Sequence, residues 1–303
     1  MEIVSDIRTL DCETYATIGF FDGVHRGHRF LLDDLKARAS RAGLPSLVVS
    51  FADSPARVLS PNSSVRLLTT PLEKMAHFRQ IGIDYCLMLD FDEKLVGLTA
   101  AQFLTLLRDH FGVRRLLLGY DHSFGSDGLR SLDDYRRVAA GLGVALKQAT
   151  PFAVDGRVVG SRIIRQLLTD GCVEQANALL GYAYTLTGRV EHGRAIGRTI
   201  GFPTANLSVP PRKLLPRNGV YAIETALDGV TYKGLLNIGT RPTVAGGEQT
   251  VEAHIVGFSG DIYGQNLTVA VLRRLRDEQK FDSLEALERQ IETDKNRLLI
   301  DEI

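Results

Sequence analysis

The chain has 303 residues, 44% of them hydrophobic and 24% charged, an ordinary globular composition with apolar material for two domains. Lys+Arg and Asp+Glu each number 36, so the basic excess typical of nucleic-acid-binding surfaces is missing, and small anionic ligands need only a local site. Cys12, Cys86 and Cys172 form no C-x-x-C pair, the segment MEIVSDIRTLD has no apolar signal core, and no run approaches the ~18 apolar residues of a membrane span; the chain reads as cytoplasmic, without a disulfide framework, zinc site or membrane anchor.

In chain order, apolar runs at Tyr15–Phe20, Ser46–Phe51, Tyr85–Leu89, Leu116–Leu118 and Val144–Ala149 read as buried strands. Helical spacing fills the intervals at His28–Ala42, Leu72–Gln80, Ala100–His110 and Leu132–Leu142. Strands alternating with helices imply a doubly wound parallel sheet. Helices at Ser161–Thr169 and Val173–Leu180 follow, separated by an Asp170-Gly171 stop, and are expected to close this module.

Beyond Gly181 the period shortens to two. Tyr184–Val190, Tyr221–Leu227, Val230–Ile238, Val251–Val256 and Leu267–Leu275 alternate apolar and polar residues, and Asp228-Gly229 marks a tight hairpin. This predicts a small antiparallel barrel, closed by a helix from about Ser283 to Leu299 with Asp282 or Ser283 as its N-cap. The domains are expected at 1–182 and 183–303. Oligomeric state leaves no mark on the sequence.

Two segments carry chemistry. Gly19 to His28, G-F-F-D-G-V-H-R-G-H, joins the first strand to the first helix, the place where open α/β sheets bind ligands. Its glycines admit close backbone approach, the helix N-terminus suits phosphate, and His25 and His28 can face one phosphorus. The same spacing also fits a metal-binding or merely polar histidine pair. Neither G-x-x-x-x-G-K-[ST] nor G-x-G-x-x-G occurs, which disfavours P-loop and ordinary dinucleotide folds. The second segment, Gly193 to Asn206, is too rich in glycine for a helix. Gly193, Gly197 and Gly201 free N–H groups for phosphates beside Arg194 and Arg198. Thr204 and Asn206 point the same way by strand alternation and offer hard oxygen ligands suited to Mg²⁺. An ordinary loop with its arginines in solvent is the plainer alternative.

H-x-G-H after a first strand is a nucleotidylyltransferase signature, and F-D-G-V-H-R-G-H resembles the adenylyltransferase module of bacterial bifunctional riboflavin kinase/FAD synthetases. The resemblance implies a Rossmann-like α/β nucleotidylyltransferase domain followed by a β-barrel riboflavin kinase domain with a C-terminal helix. It places Gly19, Phe20, Asp22, Gly23, His25 and His28 at ATP, the two histidines on its phosphates. It places Asp121 of G-Y-D-H-S-F-G on the flavin side, where a helix cap is an equal reading. Ser161 and Arg165 match a phosphate-binding element that here reads V-G-S-R-I-I-R, with Gly and Arg where Ser and Thr are usual. The stretch S-F-A-D-S-P at Ser50–Pro55 likewise departs from a P-H-P element.

The barrel half matches more continuously. G-R-T-I-G-F-P-T-A-N-L resembles the kinase signature, followed in order by P-R-N-G-V-Y-A, L-N-I-G-T-R-P-T, T-V-E-A-H, D-I-Y-G and L-R-D-E-Q-K-F. The resemblance implies Thr204 and Asn206 on Mg²⁺ and ATP, Glu252 as base toward the riboflavin 5′-hydroxyl, and Asn237 near the nucleotide. From periodicity alone Glu252 reads as an exposed strand carboxylate. ATP, Mg²⁺ and flavins (riboflavin, FMN, FAD) are the implied cofactor, substrates and products, with no nucleic acid or membrane partner. Kinase activity without adenylyl transfer is the alternative that the altered Val159–Arg165 element raises.

Overall fold

The computed structural model describes residues 1–4, 9–54, 57, 65–120, 122–154, 156–193, 197, 201–241 and 248–300. The chain divides into two compact units, residues 1–161 and 162–303.

The first unit holds β1 (Glu2–Val4), β2 (Thr14–Ile18), α1 (Arg26–Ala42), β3 (Ser46–Phe51), α2 (Pro71–Ile81), β4 (Tyr85–Leu89), α3 (Glu93–Gly97), α4 (Ala100–Phe111), β5 (Val113–Leu118), α5 (Leu132–Gly141) and β6 (Ala145–Gln148), then a short hairpin of β7 (Ala153–Val154) and β8 (Arg157–Val158). The six main strands lie in the order β1-β4-β3-β2-β5-β6 and all pair in parallel. This is the doubly wound sheet that the alternating pattern predicts. On one face α1 and α2 bury Leu32, Leu35, Phe78 and Ile81; on the other α4 and α5 bury Phe103, Leu104, Leu107 and Ala139. Because both faces are covered, Leu47, Val48 and Val49 of β3 are all fully buried, which is why β3 reads as an unbroken apolar run. From β2 the chain runs outward through β3 to β4, beside the edge strand β1, and later through β5 to β6 at the other edge. The carboxyl end of β2 is therefore the topological switch point, and Gly19–His28 emerges there.

The second unit contains α6 (Ser161–Asp170, entering from its first residue), α7 (Val173–Leu180), β9 (Tyr184–Glu191), β10 (Ala205–Ser208), β11 (Gly219–Leu227), β12 (Val230–Arg241), β13 (Glu248–Ile255), β14 (Asn266–Arg276) and α8 (Leu284–Ile300). The six strands form a closed barrel in the order β10-β13-β12-β11-β14-β9, with every pairing antiparallel. Asp228 (φ 51°) and Gly229 (φ 79°) make the β11–β12 hairpin with two left-handed residues, as that dipeptide predicts. Tyr221, Leu236, Val269 and Val271 are fully buried on one face of the strands. On the other face Val220, Ala222 and Leu235 pack with Ile291 and Leu298 of α8. The Ser283 hydroxyl caps α8 by accepting the Ala286 N–H at 3.2 Å. The α6–α7 pair precedes the change of sequence grammar at Tyr182 and packs with the barrel. The Asn177 amide donates to the Val271 and Leu272 carbonyls (2.9 and 3.2 Å), and its oxygen accepts the Tyr184 N–H at 2.8 Å.

Candidate active sites

In the first unit the site begins with a forced turn. Phe21 and Val24 hold positive φ angles of 53° and 34°, which cost energy for residues with side chains and need bracing. The buried Asp22 carboxylate supplies it, accepting the Leu68 N–H at 2.9 and 3.1 Å and the Thr69 N–H at 3.0 Å. The Thr69 hydroxyl accepts the Gly23 N–H at 3.0 Å, and the Ser161 hydroxyl donates to the Asp22 carbonyl at 2.8 Å. The Asp22 carboxylate thus braces the turn.

His25 caps α1, its Nδ1 accepting the His28 N–H at 3.3 Å, which leaves the neutral ring's proton on Nε2. The two imidazoles stack with centroids 3.6 Å apart, and Phe21 meets His28 edge-on at 5.3 Å. His28 Nδ1 is enclosed and has no hydrogen-bond partner. Burial holds the His28 pKa well below 6.5, and the nearby His25 and Lys74 charges push it the same way. Both rings border a cavity of about 180 Å³ together with Gly27, Gly119 and Ser161, and Tyr120 and Phe152 add aromatic walls. Gly19, Phe20, Asp22 and Gly23 shape the turn behind it. Arg165 lies on α6, four residues past Ser161 and in the other unit. Asp121 and Pro55 fall outside the described residues.

In the barrel the register assembles the second site. Glu252 on β13 sits opposite Asn206 on β10 and Asn237 on β12, so three polar side chains stand in one row across three strands. The row continues through Val220 to Arg276. Glu252, Asn237 and Arg276 line a cavity of about 300 Å³ whose other wall is Phe281 with Leu287 and Ile291 of α8. A second cavity of about 570 Å³ lies between Pro203–Ala205 and Asp261–Tyr263, where the His192 and Tyr263 rings stack at 3.8 Å. Thr204 borders both cavities.

The chain before β10 is fitted closely to this row. A Cβ on Gly193 would stand 2.1 Å from the Asn206 amide nitrogen, and one on Gly197 2.2 Å from the Phe202 carbonyl oxygen. His254 shares the Glu252 face, but its Nδ1 is engaged with the Pro203 carbonyl at 2.9 Å, which secures the loop. Arg194, Arg198, Pro242 and Thr243 lie outside the described residues, and Gly201 is exposed at the loop's end. The wall from Phe281, Leu287 and Ile291 escaped the sequence reading of the site, although the apolar stripe of the last helix carried the signal.

Together the units define a two-module transferase: a nucleotidylyltransferase-type sheet with paired histidines at its switch point, and a barrel presenting a carboxylate in one of two cavities that meet at Thr204. A FAD synthetase family model matches residues 7–163 and a riboflavin kinase family model residues 180–299. A bifunctional riboflavin kinase/FMN adenylyltransferase of Escherichia coli (strain K12) is 38% identical over 92% of this chain and 90% of its own length. One from Pseudomonas fluorescens is also 38% identical, over 97% of this chain and 96% of its own. A crystal structure described as a macrolide-efflux protein from Streptococcus pneumoniae superposes with a TM-score of 0.90 at 30% identity, covering 98% of this chain and 99% of that one. The chain belongs to the bifunctional riboflavin kinase/FMN adenylyltransferase family.

Proposed function

We propose that the barrel transfers the ATP γ-phosphoryl group to the riboflavin 5′-hydroxyl, and that the sheet module joins AMP from a second ATP to the resulting FMN, releasing pyrophosphate. The observation that carries this reading is the Asn206–Glu252–Asn237 row beside a residue, Thr204, that two cavities share. The mostly apolar 300 Å³ cavity, with Phe281, Leu287 and Ile291, suits a flavin ring. The 570 Å³ cavity with its His192–Tyr263 stack suits the nucleotide. Glu252 takes the hydroxyl proton as the oxygen attacks, a step an alcohol needs and an already ionised phosphate does not. Thr204 and Asn206 offer hard oxygen ligands to the Mg²⁺ that ATP carries. Asn237, expected near the nucleotide, lines the cavity proposed here for the flavin, and no chemical step is given to it.

In the sheet module FMN arrives as its own nucleophile. His25 and His28 hold the phosphates in line as hydrogen-bond donors, the Ser161 region contributes phosphate contacts, and no base is required. We assign the functional modules to 1–182 and 183–303, with the α6–α7 pair at the end of the first module packing on the barrel unit, and the setting to the cytoplasm, where ATP and Mg²⁺ are supplied. No helix among the described residues is long and apolar enough to cross a membrane.

Incubation with riboflavin, ATP and Mg²⁺, followed by separation of the flavins, is expected to yield FMN first and FAD afterwards. FMN that never advances would leave a kinase alone. Gly193→Ala is expected to lower kinase turnover on the order of 10–100-fold, because the added methyl displaces the Asn206 amide from the row. Steady-state kinetics with a melting curve checks this: a lower melting point with unchanged turnover would mean that the close contact serves stability only.

A further inference from the structure

Lys74 carries a buried charge for which the mechanism above has no use. It sits on α2 with its side chain 1% exposed. Its Nζ donates to the Phe51 carbonyl at 3.0 Å, reaches the Ser50 hydroxyl at 3.5 Å, and lies 4.0 Å from the centroid of the Phe20 ring. Ser50 in turn donates to the Phe20 carbonyl at 3.2 Å. The ammonium therefore ties the carboxyl end of β3 to the second residue of the histidine turn. The segment leading into the same helix holds the other end of that turn through Asp22 and Gly23.

Among the described residues no carboxylate touches the ammonium, and a buried lysine of that kind is costly, so cores rarely keep one without return. The groups that face Lys74 are Asp22 in the turn, Asp53 after β3, Cys86 on β4 and His28 on α1. Burial lowers its pKa to about 8, while Asp22, Cys86 and Asp53 oppose that fall. The position is the carboxyl edge of the central strands, where anionic ligands of such sheets bind.

The geometry points to Lys74 as a positioning residue for adenylyl transfer, pinning the Phe20 turn from below and placing a fixed positive charge behind the histidine pair, so that the nucleotide phosphates meet a preorganised, cationic floor. This rests on the reading that the sheet module joins AMP to FMN. The coupling has a sign. Anionic phosphates favour the charged ammonium, so loss of its proton as pH rises through about 8 weakens the hold on ATP.

The test compares the full chain with Lys74→Met and Lys74→Arg, using supplied FMN and MgATP between about pH 6.5 and 9.5. Riboflavin phosphorylation in the same preparations serves as the reference for active protein. Wild-type kcat/KM for ATP in FAD formation is expected to fall above about pH 8. Lys74→Met is expected to lose about ten- to a hundredfold at neutral pH, to lose the alkaline fall, and to keep its kinase rate. Lys74→Arg, which cannot deprotonate, is expected to retain activity and shift the fall upward; if Lys74→Met does not fold, this variant decides. A Lys74→Met enzyme within about twofold of wild type, or a Lys74→Arg profile that coincides with wild type, overturns the assignment. A wild type that makes no FAD at any pH removes the underlying reading, whereas an active wild type with an indifferent Lys74→Met removes only this inference.

Discussion

Replacing Glu252 by Gln is expected to lower FMN formation by about 10²–10⁴-fold while FAD formation from supplied FMN stays near the wild-type rate. The substitution keeps the length and shape of the side chain and removes only the ability to take a proton. Glu252 lies between Asn206 and Asn237 in the barrel register and lines the cavity walled by Phe281, Leu287 and Ile291. An alcohol placed there must lose its proton as the new P–O bond forms, so the loss should appear in kcat, with a far smaller change in KM for riboflavin. A uniform rise in KM at constant kcat would demote Glu252 to a binding group. Loss of both reactions in a folded protein would contradict the division of labour between the two sites.

The second large effect is the mirror of the first. His28→Ala is expected to lower FAD formation by about 10²–10³-fold and leave phosphorylation of riboflavin intact. His28 is the ring whose Nδ1 is enclosed without a partner, stacked 3.6 Å from His25 at the mouth of the sheet cavity. Its substitution removes a donor and also the stacking surface that orients His25. Histidine protonation adds a pH signature. Burial first, and then His25 and Lys74, hold the His28 pKa well below 6.5 in the folded chain. The unfolded chain therefore takes up this proton first. The associated stability is fully present above about pH 6.5 and is lost as pH falls through the lower folded value. In urea titrations wild type should lose stability below pH 6.5 more steeply than His28→Ala.

Most of this architecture was legible because its physics is local. Ser46–Phe51 and Val173–Leu180 are bounded in the structure as the sequence predicts, one by complete burial and the other by the left-handed stop at Gly181. The kinase row was half legible. Alternation placed Glu252 opposite Val251 and Ala253, but its alignment with Asn206 and Asn237 is set by pairing between strands far apart in sequence. Strand β10, only Ala205–Ser208, has no apolar run of its own and is held by β9 and β13. Strand β1, three residues long, depends in the same way on β4. Lys74 could not be read at all. A lysine on a helix marks the solvent face, and nothing local announces that Phe20, Ser50 and Phe51 converge on it. The bracing of the Asp22 carboxylate by the Leu68 and Thr69 backbone is a link across a stretch without periodic signal.

The closed barrel has a consequence for how the chain is made. Its first strand, Tyr184–Glu191, pairs with β10 and with β14, the last strand to be synthesised. At roughly 5–20 residues per second the ribosome delivers β10 to β13 while one border of β9 still waits. Until Asn266–Arg276 emerges, the nascent barrel is an open sheet with two free borders, the form in which β proteins recruit one another. Protection arrives in a single late event, when β14 bridges β11 and β9. Translation pauses or truncations ahead of β14 therefore leave this chain with the open borders through which β proteins aggregate.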